Sequence, residues 1–153
     1  MFGERPGRTL DNVMTRLLLV ESQPAIRCGL RMRLNLEPDL MVLGEAGDGL
    51  AALAQASMLT PDVVLLDIEA TGMDGIELIR ALRAVSSQSA VIVLSFRDDA
   101  ATRKRVQAAG AAGFVSKHEV GDRLIQAIRE AATGHHELAA DAVRQRNVRH
   151  GLI

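Results

Sequence analysis

The stretch LLLVESQPAIR, Leu17 to Arg27, decides how the rest of the chain is read. Four apolar residues in a row suit a strand buried on both faces. The run stops at Glu21-Ser22-Gln23, and Pro24 suits the first turn of a helix. A buried strand that ends in a carboxylate and runs straight into a helix is one half of a βα unit. Further along, the same grammar recurs. Apolar runs stand at Leu17–Val20, Met41–Ala46, Val63–Leu66, Val91–Leu94 and Gly113–Val115.

Helical patterns fill the gaps. Ile26, Leu30 and Leu34 recur four apart, with Arg27 and Arg31 expected on the wet face and Pro38-Asp39 as the stop. Leu50–Ala54 is short and alanine-rich and is closed by Pro61. Ile76, Leu78, Ile79 and Leu82 form an apolar face behind Asp74, a residue suited to an N-cap. Ala100–Ala109 ends at Gly110, and the stripe Val120, Leu124, Ile125, Ile128 and Ala131 ends at Gly134. Five strand–helix repeats with near-continuous apolar strands predict an α/β fold, a doubly wound five-stranded parallel sheet covered on both faces. Right-handed crossovers and the chain length select the flavodoxin-like order 2-1-3-4-5.

Composition narrows the function classes. Hydrophobic residues make up 48% and charged residues 24% of the chain, as in ordinary globular domains. A formal net charge of −1 advertises neither nucleic acid nor membrane as a partner. Cys28 is the only cysteine, so no intramolecular disulfide forms, and the residue reads as a small, buried or half-buried hydrophobe. No apolar run reaches the roughly 20 residues of a membrane span. Residues 1–14 lack a hydrophobic core and read as a flexible leader, with Met14 an alternative start. Residues 135–153 read as a linker-like tail. Its basic Arg144, Arg146 and Arg149 and its His135-His136 pair are taken as solvated rather than as a nucleic-acid arm or a metal site. A cytoplasmic protein is expected.

In a doubly wound sheet, ligands bind beyond the carboxyl ends of the strands. Those ends carry Glu21-Ser22, Asp67, Ser95 and Lys117. Each alone reads as a cap, a turn residue or a solvated lysine. Together they suit acyl phosphate formation. A carboxylate can attack a phosphoryl group, a hard cation such as Mg2+ relieves the repulsion between them, an ammonium neutralises the phosphoryl charge, and a hydroxyl donates to a phosphoryl oxygen. Asp67, Glu21, Lys117 and Ser95 match these parts. No glycine-rich phosphate loop and no nucleophile elbow is present.

From about Thr15 to Gly134 the chain resembles the receiver domain of bacterial response regulators. The resemblance rests on LLLVESQP, GEAGDGLAAL, PDVVLLDIEATGMDG, VIVLS and AAGFVSK. With ELAADAV beyond them, these segments are similar to the branch that carries a C-terminal LuxR-type helix-turn-helix, and the chain ends about where that domain would begin. The resemblance implies Asp67 as phosphoacceptor. It also implies Ser95 as switch hydroxyl, Phe114 as switch aromatic and Lys117 as phosphoryl counter-charge. Mg2+ would be held by Glu21, Asp67 and the backbone carbonyl of Glu69. It implies a sensor histidine kinase as partner, a homodimer, and DNA contact only through a C-terminal domain absent from this sequence. Such a domain is a signalling module rather than an enzyme.

Two departures stand out. The family places two acidic residues after the first strand, where this chain has Glu21-Ser22, so the metal site is expected to be weakened. Ala70-Thr71-Gly72-Met73 lacks the proline usual in the following loop. An alternative reading is therefore an atypical receiver that dimerises or binds a ligand without phosphorylation, and Mg2+-dependent acyl phosphate formation separates the two. Asp67-Ile68-Glu69 faintly resembles the DxD of haloacid-dehalogenase phosphatases, but that chemistry needs an aspartate where Glu69 stands.

Overall fold

A computed structural model describes residues 13–69 and 72–134. The leader up to residue 12, Ala70-Thr71 and the whole 135–153 tail lie outside the described residues, and with them the readings placed there. The strands are β1 (Thr15–Val20), β2 (Leu40–Ala46), β3 (Val63–Asp67), β4 (Ala90–Ser95) and β5 (Gly113–Ser116). The helices are α1 (Pro24–Asn35), α2 (Gly49–Leu59), α3 (Gly75–Val85), α4 (Ala100–Ala108) and α5 (residues 122–134). All strand pairings are parallel, in the order β2-β1-β3-β4-β5, as expected from the sequence. Among the described residues no helix is long and apolar enough to cross a membrane.

The strands are buried on both faces because alternate residues feed two cores. Leu17, Leu19, Val63, Leu65, Ile92, Leu94 and Val115 pack with Leu34 of α1 and with Leu124, Ile125 and Ile128 of α5. Leu18, Val20, Val64, Leu66, Val91 and Val93 pack with residues of α2, α3 and α4. This two-sided demand explains the unbroken apolar runs.

Capping fixes where helices start. Pro24 opens α1. The side chains of Asp48, Asp74 and Asp99 accept from backbone N–H groups of Ala51, of Ile76 and Glu77, and of Thr102. Asp74 was legible as a cap, while Ser95, a candidate cap for α4, gives way to Asp99.

Two helix faces differ from expectation. Ile26 is 40% exposed, and Pro24 and Ala25 before it in the first turn of α1 are exposed as well. Arg27 is not on the wet face. Its guanidinium donates to the backbone carbonyl of Glu21 at 2.7 Å and pairs with Glu45 at 3.3 Å. Val120 is 46% exposed, since it precedes α5 rather than joining its buried stripe.

The turn from β3 into α3 is tight enough to need glycine. A Cβ on Gly75 would collide with the Ile68 side chain and sit 3.3 Å from the Ile68 carbonyl oxygen. Ile68 follows Asp67 directly, so this contact sets the path of the chain leaving the sheet. Gly75→Ala is expected to cost about 1–3 kcal/mol of stability, the range for overpacking. Urea unfolding checks it, and an unchanged midpoint would show that the turn yields freely.

Candidate functional site

Glu21, at the end of β1, and Asp67, the last residue of β3, are both buried, at 1% and 2% exposure. Such residues are rarely buried unless paired. Their partner is Lys117, which follows β5 and opens a short 3-10 turn, Lys117–Glu119. Its Nζ lies 3.4 Å from Glu21 Oε1 and also contacts Asp67 Oδ2. The other carboxylate oxygens accept from the backbone. Gln23 N–H donates to Glu21 Oε2 at 3.1 Å, and Glu69 N–H donates to Asp67 Oδ1 at 3.1 Å.

The charges do not balance, and the titration behaviour follows from that. Two carboxylates share one ammonium. Burial and the adjacent Glu21 push the Asp67 carboxyl above its ordinary value, against the opposing pull of Lys117 and the Glu69 N–H. Burial also works against ionisation of Glu21, but hydrogen bonding from Asp67 and Gln23 and the charge of Lys117 hold it below the usual carboxylate range. Burial works against the Lys117 ammonium, and the Asp67 and Glu21 carboxylates more than offset this and raise it.

Ser95 is fully buried but does not join this trio. Its hydroxyl donates to Glu69 Oε1 at 2.6 Å. The same oxygen accepts from Phe96 N–H at 2.8 Å, and the Ser95 hydroxyl accepts from Arg97 N–H at 2.9 Å. Of the residues at these strand ends, the two carboxylates and the ammonium meet, while the Ser95 hydroxyl turns to Glu69. Strand alternation is the reason. Asp67 falls in phase with Val63 and Leu65, on the α1/α5 side, whereas Ser95 is in phase with Val91 and Val93, on the other. Ser22, which follows Glu21 in sequence, is half-buried. Phe114 packs partly into the α2–α4 core, with the Arg103 guanidinium 4.5 Å over its ring. At the rim, Phe96 is 55% exposed and meets the His118 ring edge-on at 5.0 Å.

Sequence reasoning assigned Glu69 only a backbone role and missed its side chain. The one available signal was a carboxylate two residues past a strand end, beside the polar end of the neighbouring strand. Among the described residues, no three His, Cys, Asp or Glu side chains converge to hold a metal. Two buried carboxylates with one ammonium leave the Glu21–Asp67 pair short of positive charge, a deficit that a hard cation would offset.

A family model for the response regulator receiver domain matches residues 17–129. The chain belongs to the response regulator receiver family. The receiver is 36% identical over 126 residues to the transcriptional regulatory protein LiaR of Bacillus subtilis, across 82% of this chain and 59% of that one. It is 35% identical over 119 residues to the nitrate/nitrite response regulator protein NarP of Escherichia coli, across 78% of this chain and 55% of NarP. The chain therefore spans a little over half the length of these relatives. Among solved structures, the receiver domain of the response regulator NarL from Mycobacterium tuberculosis superposes with a TM-score of 0.75 at 33% identity, covering 80% of this receiver and 98% of that chain. The relatives are transcriptional regulators of two-component signalling, so the receiver is homologous to the signalling modules of such regulators.

Proposed function

We propose that this receiver accepts a phosphoryl group on Asp67 from a sensor histidine kinase in the cytoplasm, and through it controls transcription. The observation that carries this reading is the buried Glu21–Asp67–Lys117 trio at the sheet's carboxyl edge. An Asp67 oxygen attacks phosphorus, the new P–O bond forms as the bond to the donor breaks, and the donor leaves with its electron pair. With acetyl phosphate the leaving group is acetate. Lys117 stays within reach to neutralise the phosphoryl oxygens. Glu21 and Asp67, with the backbone carbonyl of Glu69, are the residues that would hold Mg2+. A bound Mg2+ supplies the charge that lets an anionic carboxylate meet an anionic phosphoryl group.

Residues 15–134 form the receiver in this reading, flanked by a leader and a linker-like tail. Contact with DNA belongs to a separate C-terminal domain, and the phosphorylated form pairs with a second copy of itself. The receiver itself turns over no substrate other than its own phosphoryl group.

Intact-mass measurement after incubation with acetyl phosphate, with and without Mg2+, tests the proposal. A Mg2+-dependent gain of one phosphoryl group, lost in Asp67→Ala, is the expected result. No adduct under conditions that modify an ordinary receiver would sink it and favour the phosphorylation-independent module.

A further inference from the structure

We propose that the Glu69 side chain is a latch that holds Ser95 and the start of the β4–α4 loop in the resting arrangement. A phosphoryl group on Asp67 then has to compete with it for the Ser95 hydroxyl. The inference rests on the preceding reading of Asp67 and Ser95. Three donors converge on Glu69 Oε1: the Ser95 hydroxyl at 2.6 Å, Phe96 N–H at 2.8 Å and Arg97 N–H at 3.4 Å, the last a weak contact. One acceptor oxygen that receives donors from three consecutive residues ties all three together.

The position of Glu69 makes the latch relevant. Its own N–H donates to Asp67 Oδ1, so the same residue touches the nucleophile through its backbone and the hydroxyl through its side chain. Ser95 donates one hydrogen, and that hydrogen is committed to Glu69. It can reach a phosphoryl oxygen only after leaving the carboxylate. A cleft lined by Glu69, Arg97, Thr102 and Arg105 opens beside the latch. It gives the carboxylate somewhere to go, with two guanidinium groups along its wall.

The latch therefore sets how far the resting receiver is held from the switched state. A residue that stabilises one of two arrangements shifts their populations by its differential interaction and by nothing else.

The test compares Glu69→Ala with Glu69→Gln. Glutamine keeps an oxygen acceptor at the same reach and removes the charge. Backbone hydrogen exchange is read without phosphoryl donor and with a metal chelator present, as the ratio of exchange at Phe96 and Arg97 to exchange at the core residues Leu18 and Leu65. Glu69→Ala is expected to raise that ratio about tenfold, the scale of losing a hydrogen bond and leaving its donors unpaired. Glu69→Gln is expected to keep most of the protection. In parallel, acetyl phosphate with Mg2+ should modify Glu69→Ala several-fold faster than it modifies Glu69→Gln.

An unchanged ratio in Glu69→Ala overturns the latch. So does equal behaviour of the two variants, which would mean that charge rather than the acceptor matters. A variant that is merely less stable speeds exchange at the core at least as much as at the loop, so the ratio stays level or falls, and that result also counts against the latch. If neither parent nor variants take up a phosphoryl group, the phosphoacceptor reading fails, and the exchange ratio still decides whether Glu69 restrains Ser95.

Discussion

Lys117→Met is expected to lower the stability of the metal-free receiver at pH 8 by about 3 kcal/mol. Lys117 is the cation that touches both buried carboxylates, and its side chain is itself only 11% exposed. Methionine fills much of the same volume, so the loss is electrostatic rather than a cavity. Two like charges would then face each other in a poorly solvated place, where neither is hydrated and neither is paired.

The pH dependence gives this prediction its signature. Asp67 already has a folded-state pKa above its unfolded value. Such a group opposes folding at high pH, because the folded state binds the proton more tightly than the unfolded chain does. Its cost is relieved as pH falls through the folded value toward the unfolded one. Losing Lys117 raises that folded value further. The opposite linkage of Lys117 is lost with it: its folded pKa is raised, so in the parent its contribution is present below its ordinary value and fades as pH rises through the folded one. The gap between Lys117→Met and parent should therefore be large at pH 8 and shrink as pH drops toward 5. Urea midpoints with a metal chelator, measured across that range, check it. A gap that stays constant with pH would mean that lost packing explains the effect. Added Mg2+ should narrow the gap, because a ligand of the folded state stabilises it by mass action.

Ser22→Asp is expected to tighten Mg2+ binding by at least about tenfold. The parent offers a cation two carboxylates, Glu21 and Asp67, and half-buried Ser22 follows Glu21 in sequence with only a neutral hydroxyl. Mg2+ surrenders water reluctantly and favours anionic oxygens. A third carboxylate adds a charged contact without moving the backbone. Without metal, the same change brings another negative charge to a site already carrying one in excess, and should cost about 1 kcal/mol of stability. Mg2+ titration by calorimetry reads the affinity, and urea unfolding with chelator reads the cost. An unchanged dissociation constant would mean that Ser22 lies beyond reach of the ion and that the Glu-Ser pair does not weaken the site.

Much of the architecture was legible because burial on both faces leaves a blunt signature. Val63–Leu66 and Val91–Leu94 can be little else than inner strands, and the gap between each apolar run and the next leaves room for one helix. The carboxylate–ammonium meeting was legible too, since strand order puts the ends of β1 and β3 side by side and brings the residue after β5 within a lysine's reach. What escaped was decided by single-residue phase and by long side chains. Ser95 was grouped with Asp67 by strand end, yet the pleat turns it to the opposite layer. Arg27 fitted a wet helix face by period, yet its reach to Glu45 and to the Glu21 carbonyl draws it inward. Glu69 gave no sign that its carboxylate would close on a neighbouring strand, because such a contact depends on how β3 and β4 register, Asp67 against Leu94.

The alternation that separates Asp67 from Ser95 divides labour across the sheet. Substitutions in the layer under α1 and α5 reach the charged trio from below, and those under α2, α3 and α4 reach Ser95 and Phe114 from the other side. Each set meets the other only at the strand ends. A lineage can therefore remodel the packing under one layer while the strand-end chemistry of the other stays untouched. The β-sheet works as insulation between two independently evolvable halves, bridged at one edge by Glu69.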